Sequence, residues 1–282
     1  MTSIDAIVKQ IKQLEPLPQV TNRVMELVQD SRSSMNDLAK IVGFDQALTA
    51  NILKVCNSAY FGLNKQVESV QQAIVYLGMD QVVDLVLMSG ASRNLNAQHK
   101  GYDLGAGELW KYSVSSAILA RELALKLGAD NKQLIFTAAL LKDIGKVVLQ
   151  QFVAESFRDI NELVAHQGYS FREAEKEILG IDHAELGGLV AKQWNFSSAM
   201  VEIIENHHLS RDVDVPGRDT AIVYLADLIC MMMGIGVGSD GLAYRFHKKV
   251  VDDLGFSTKD LGEVIAGFGA KYEEVEALVK QS

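Results

Sequence analysis

Thr137-Ala138-Ala139-Leu140-Leu141-Lys142-Asp143-Ile144-Gly145-Lys146 is the stretch on which the reading of the fold turns. An apolar helical run meets a Lys-Asp pair and closes on a glycine and a second lysine. The residues before the pair are small or aliphatic, so Lys142 and Asp143 are expected in or beside a core. Two adjacent charges there are costly unless they find partners. Further along, the chain offers His183, His207, His208 and Asp227.

The totals bound the answer. At 282 residues the chain can bury a sizeable core as one large domain or two lobes. An apolar content of 48% and only three prolines argue for a compact protein and against disorder. The formal net charge of −9 argues against a general binder of nucleic acid or anionic membranes. Cys56 and Cys230 stand alone, without a metal or disulfide spacing, which fits a reducing compartment. Met1-Thr2-Ser3-Ile4-Asp5 lacks the basic start and apolar run of a signal peptide. The greasy stretch from Ala221 to Gly238 carries Asp227 and several glycines, so it reads as a buried core helix rather than a membrane span. A cytoplasmic protein is expected.

Nearly every segment shows helical period and alternating strand patterns are scarce, so the fold class is all-α. Ile4, Ile7, Val8 and Ile11 line one face of a first helix that Pro16 and Pro18 stop. Val20, Val24, Leu27 and Val28 line the next. Ser34 caps a short helix ended by Gly43, and Asp45 caps another with Leu48, Ile52, Leu53 and Val55 turned inward. Ser69 opens a helix that Gly78 terminates, and 80–95 forms one more. The mixed stretch 96–107 marks the boundary between an N-terminal helical lobe, 1–96, and the helical bundle on which it packs, 97–282. In the bundle, a long helix over 108–127 ends at Gly128, and a continuous helix runs from about Asn131 through the Lys-Asp pair to Phe152. Ser170 with Glu173 forms a capping box, Asp182 caps the helix carrying His183, and Ser197 or Ser198 caps the one reaching His207 and His208. Asp219 opens the helix with Asp227, and the tail 257–281 is again helical.

Two blocks of motifs fall in a recognisable order. Leu17-Pro18-Gln19-Val20, Leu38-Ala39, Asp45-Gln46-Ala47-Leu48-Thr49, Asn57-Ser58-Ala59-Tyr60-Phe61 and Ala73-Ile74-Val75-Tyr76-Leu77-Gly78 resemble the N-terminal half of the HDOD family, the HD-related output domain of bacterial signalling proteins. Leu109-Trp110-Lys111-Tyr112-Ser113, Leu140 to Lys146, Asp182-His183-Ala184-Glu185-Leu186-Gly187, Asn206-His207-His208 and Ala226-Asp227 resemble its HD-like half, a degenerate branch of the HD phosphohydrolase superfamily. The resemblance spans about Leu17 to Asp227, and Asp45-Gln46 departs from the Asp-Pro usual at that point.

The resemblance implies a metal site held by a histidine, a His-Asp pair and a distant aspartate. Here those positions read Tyr112, Lys142, Asp143 and Asp227. A neutral imidazole offers a lone pair, whereas a protonated lysine has three donors and no acceptor. With two ligands replaced, the metal-activated water that cleaves a phosphate ester would be lost. Related two-metal enzymes hold a second ion with the aspartate of the pair and three histidines, and Asp143, His183, His207 and His208 match those positions. Such a set suits one divalent ion, Zn, Fe or Ni, although histidines also serve as ordinary hydrogen-bonding residues. Because His207 and His208 point about 100° apart on an ideal helix, both can bind only near a helix end. Lys142 is expected to fill the vacated position and neutralise Asp143, Asp227 or both; the alternative is that it snorkels to solvent.

Other features carry plainer readings. Ser34 to Ser58 has the outline of a helix-turn-helix, but its second helix shows only Lys54 against Asp45, so helix packing is expected rather than DNA reading. Cys56 follows an apolar stripe and is read as inert core. His99, His166 and His247 lie outside the cluster and are expected to be exposed. The function expected is a non-catalytic regulatory module in bacterial signal transduction, acting on a partner protein or small ligand through the degenerate HD site, with no cofactor required. The alternatives are a phosphodiesterase using the residual single metal site and a DNA-binding regulator. Partner, ligand and oligomeric state are not written in the sequence.

Overall fold

The computed structural model of the protein describes residues 4–30, 32–209, 217–243 and 246–280. Among these the chain forms α1 (Ile4–Ile11), α2 (Gln19–Gln29), α3 (Met35–Gly43), α4 (Gln46–Cys56), α5 (Val70–Leu77), α6 (Met79–Leu95), α7 (Glu108–Lys126) and α8 (Lys132–Leu141). It continues with α9 (Ile144–Glu155), α10 (Phe157–Gln167), α11 (Phe171–Leu179), α12 (His183–Gln193), α13 (Ser198–Asn206), α14 (Arg218–Met232), α15 (Lys248–Asp253) and α16 (Thr258–Val279). Single 3₁₀ turns lie at Lys100–Tyr102 and Ser239–Ala243. No strand occurs among the described residues, where the only extended pairing is an isolated bridge between His99 and Leu104. The all-α class follows.

Side-chain caps set many of the helix starts. Ser34, Asp45, Ser69, Ser170, Asp182 and Ser197 each accept a hydrogen bond from the backbone N–H three residues on. In α3, α11 and α12 the acidic residue at that third position bonds back to the cap, completing a capping box. The helix with Asp227 begins at Arg218, one residue before the expected Asp219.

The expected continuous helix across the Lys-Asp pair is corrected. α8 stops at Leu141 and α9 starts at Ile144, with Lys142 and Asp143 in a turn between them. Asp143 leaves helical geometry at φ −94° and ψ 11°, and its carbonyl accepts from Lys146 N–H at 2.9 Å in a three-residue turn. The apolar period is equally good on both sides, so it gave no sign of the break. The turn delivers both charged side chains to one buried point.

The chain divides into two compact units: one comprises Met1–Glu15 with Asn94–Gly267, the other Pro16–Arg93 with Phe268–Ser282. The helix before Pro16 thus belongs with the later part of the chain, and the last helix crosses from one unit to the other. In the smaller unit, α4 buries Leu48, Ile52, Val55 and Cys56, while Lys54 stays exposed, as helix packing requires.

In the larger unit, α7 packs on α8 and α14, and α12 packs on α9 and α13. Every residue of α14 from Thr220 to Cys230 is buried, the pattern of a helix enclosed on all sides. No helix among the described residues is long and apolar enough to cross a membrane. α9 and α12 approach so closely that a Cβ at Gly145 would lie 2.0 Å from the His183 carbonyl oxygen and 2.7 Å from Gly187 N. Glycine at 145 therefore brings the start of α9, with Asp143, against the start of α12, with His183.

Candidate functional site

Tyr112 comes from α7, Lys142 and Asp143 from the α8–α9 turn, Lys146 from α9, His183 from the start of α12 and Asp227 from α14. His207 and His208 lie just past the end of α13, where Leu209 takes the left-handed conformation (φ 56°) and stops the helix. Off the helix, the two imidazoles no longer diverge; their ring centres are 4.1 Å apart and both rings reach the same cluster. Tyr112, Lys142, Asp143, His183, His207 and Asp227 are all buried, and the His208 side chain is only 15% exposed.

The ammonium of Lys142 sits between the two aspartates. It bonds Asp143 Oδ2 and lies 2.7 Å from Asp227 Oδ1. The Tyr112 ring lies below it at 4.2 Å, and Tyr112 Oη donates to Asp227 Oδ1 at 2.6 Å. The expected ion pair is present and involves both carboxylates. Burial alone would drive the Lys142 ammonium toward its neutral form, but Asp143 and Asp227 outweigh it and raise its pKa. Burial likewise opposes charge on the carboxyls, yet Lys142, joined at Asp143 by Lys146, holds Asp143 well below the usual carboxylate range and Asp227 below it.

Sequence reasoning missed a second shell of charge. Lys146 Nζ is 2.7 Å from Asp143 Oδ1 and 2.6 Å from Asp240 Oδ2, so Asp143 joins two ammonium groups, one on each oxygen. Glu175, wholly buried, accepts from Tyr102 Oη at 2.5 Å, from His183 N–H at 3.1 Å and from His183 Nδ1 at 2.6 Å. A signal for Glu175 existed: it stands four residues after Phe171 and four before Leu179, on the buried stripe of α11. Lys146 was visible as the residue one turn beyond Asp143. His99, expected to be exposed, is buried, because the 3₁₀ turn it begins is pressed onto α9; a Cβ at Gly101 would meet the Gln150 carbonyl oxygen at 2.1 Å. His166 is exposed and His247 half-buried.

Two imidazoles have one nitrogen fixed from behind. His183 Nδ1 faces Glu175, and His207 Nδ1 faces the Ile204 carbonyl at 2.7 Å. Their Nε2 atoms lie 3.9 Å and 3.8 Å from Asp143 Oδ1. His208 reaches His183 Nε2 with its own Nε2 at 2.8 Å and comes within 3.8 Å of Asp227 Oδ2 with Nδ1. Burial pushes His207 down to about 4 and His208 well below the ordinary histidine value, so both are neutral at pH 7. Burial would lower His183 too, but the Glu175 carboxylate raises it.

These residues decide which metal positions fit. Tyr112, Lys142, Asp143 and Asp227 do not fit an ion, since an ammonium group already takes both carboxylates and the phenol donates rather than accepts. Asp143, His183, His207 and His208 do fit: one donor atom from each lies within 4.8 Å of the others, and His207 Nε2 is buried without a hydrogen-bond partner. An ion there would be held by imidazole nitrogens and one shared carboxylate oxygen, and could polarise a bound oxygen.

Comparison with known proteins bears on the family and the fold. The HDOD domain family model matches residues 14–210. An HDOD domain protein of unknown function from Geobacter sulfurreducens superposes with a TM-score of 0.75 at 22% identity, covering 98% of each chain. A protein from Shewanella amazonensis SB2B, provisionally named a phosphohydrolase, gives 0.73 at 24% identity over 98% of this chain and 97% of its own. One from Marinobacter aquaeolei VT8, provisionally named a signal transduction protein, gives 0.77 at 21% identity over 100% of this chain and 61% of its own. An uncharacterized protein of Treponema pallidum (strain Nichols) is 25% identical over 203 residues, 69% of this chain but only 38% of that relative's length. These likenesses establish the fold, and the family match covers well over half of the sequence. The chain belongs to the HDOD domain family.

Proposed function

We propose that this HDOD domain is a non-catalytic regulatory module of bacterial signal transduction, working by binding a partner protein or small ligand through its degenerate HD site. The observation that carries the reading is the Lys142 ammonium lodged between Asp143 and Asp227. A hydrolase needs an exchangeable ion at that point to activate water; a tethered cation neutralises the same carboxylates and activates nothing. The name of the Marinobacter neighbour points toward signalling, though at an identity that speaks only for fold.

A second reading, a phosphodiesterase built on one ion, is favoured by the convergence of Asp143, His183, His207 and His208. The test is a hydrolysis screen of cyclic dinucleotides and nucleotides, with the purified protein loaded in turn with Zn²⁺, Fe²⁺, Ni²⁺ and Mn²⁺. The regulatory reading expects no turnover above that of the His183→Ala variant. Metal-dependent cleavage abolished by that substitution would establish the enzyme instead.

A further inference from the structure

The degenerate site must meet another molecule if it regulates, yet Lys142, Asp143, His183, His207 and Asp227 are all buried. We propose that residues 236–241 form a gate over this site, swinging from the end of α14 and latched by the ion pair between Asp240 and Lys146. The meaning given to opening, admission of a ligand or partner, rests on the regulatory reading above; the motion does not.

The segment lies across the two aromatic residues that flank Lys146. A Cβ at Gly236 would come 2.8 Å from the Glu108 carbonyl oxygen and 2.9 Å from Tyr112 Cβ, and one at Gly238 would come 2.1 Å from the Tyr102 carbonyl oxygen. Glycine thus lets the backbone lie directly on Tyr102 and Tyr112, whose ring centres are 5.6 Å and 5.7 Å from Lys146 Nζ. This covering is close but weakly fastened. Among the described residues, no backbone hydrogen bond joins 236–241 to α7, α9 or α11. Ile235, at the root, is buried, whereas Val237 is 38% exposed. The polar fastening is Asp240 Oδ2 on Lys146 Nζ at 2.6 Å. Its two ends differ: the Lys146 side chain is 3% exposed and the Asp240 side chain 13%, so the carboxylate sits on the solvent side of the ammonium. Lys146 also holds Asp143 Oδ1 at 2.7 Å. When Asp240 swings out, the lysine therefore keeps a counter-charge and the carboxylate gains water. Opening breaks one ion pair at the rim and strands no buried charge, which is what a two-state element requires.

Hydrogen exchange of the full chain in Asp240→Ala, read by mass spectrometry, tests the latch. Peptides covering 236–241 should exchange about 10–100-fold faster than in wild type, as expected for a lost hydrogen bond between charged groups, with 220–230 in α14 unchanged. Diethyl pyrocarbonate, which carbethoxylates neutral imidazoles, then tests the gate: the wholly buried His207 should be modified faster by a similar factor. Unchanged exchange over 236–241 overturns the latch. Faster exchange there with an unchanged rate at His207 overturns the gate, and faster exchange across 220–230 as well shows a general loosening and overturns both. Should the variant fail to fold, wild type decides: 236–241 must exchange faster than 220–230, and equal protection refutes the motion. Metal-dependent hydrolysis would defeat the regulatory reading and leave the gate standing, whereas a segment that never opens would remove the gate and leave that reading.

Discussion

Replacing Lys142 by Met should expose how much of the larger unit's stability rests on one ammonium group. Methionine follows the methylene stem closely enough to leave little cavity, so the change is mainly one of charge. Asp227 would lose its cation at 2.7 Å while the Tyr112 hydroxyl stays bonded to it, and Asp143 would retain Lys146. Removing one member of a buried pair costs roughly 3–5 kcal/mol. There is also a ceiling: a stranded carboxylate can take up a proton, and from an unfolded pKa near 3.9 that costs about 4 kcal/mol at pH 7. The expected loss at pH 7 is therefore about 3–4 kcal/mol.

The same reasoning fixes the pH dependence. In the wild type the folded carboxyl pKa values are depressed, so their contribution is present above about pH 4 and is lost only as pH falls further. In Lys142→Met the Asp227 pKa is raised instead, so the penalty grows as pH rises above about 4 and nearly vanishes at pH 4. Adding Asp227→Asn should restore most of the loss, since the amide still accepts from Tyr112. Both tryptophans, Trp110 and Trp194, lie in the larger unit, so their fluorescence in urea reports on it directly. A Lys142→Met loss below about 1 kcal/mol at pH 7, or no recovery on adding Asp227→Asn, would refute the account of Lys142 as the counter-charge.

Tyr112→His with Lys142→His should rebuild the first metal position on Asp143 and Asp227; Co²⁺ titration should show one more bound ion than wild type, and an unchanged stoichiometry would contradict the geometry. Gly145→Ala forces a methyl into the His183 carbonyl 2.0 Å away; backbone on both sides must part, and urea unfolding should show a loss of at least about 1–3 kcal/mol. Asp182→Ala removes a capping box and leaves Arg172, now 2.7 Å from the carboxylate, without it, and should lower stability by about 1–2 kcal/mol in the same assay. Burial pushes the Cys56 thiol up to about 11 and raises Cys230 further, so neither should react with a thiol reagent at pH 8 until urea unfolds the chain.

What the sequence made legible follows from the range of each interaction. The caps at Ser34, Asp45, Ser69, Ser170 and Asp182 are local chemistry, settled within four residues, and they could be read from the string alone. So could the gathering of Lys142, Asp143, His183, His207, His208 and Asp227, because their motif order carried it. The break between α8 and α9 could not, since helical period is continuous across it and the turn is decided by partners 84 residues away in sequence, as Asp227 lies from Asp143. His99 was hidden for the same reason: only the close approach of Gly101 to α9 buries it.

Glu175 and Lys146 show a deeper limit. Each is a charged residue on an amphipathic helix, where the default reading is a solvated face, and only their helical phase distinguished them. Glu175 shares its stripe with Phe171, Ala174 and Leu179, so its burial was computable in principle. Its purpose was not, because a buried carboxylate acquires meaning from what faces it, here Tyr102 from a distant turn and His183 from the next helix. A charge on an apolar stripe is thus a stronger pointer to a site than a recognised motif residue: a motif can survive by descent alone, whereas burying an ion must be offset in every folded molecule. By that measure Glu175 and Lys146, rather than the altered His-Asp position, mark where this domain still spends stability on a site.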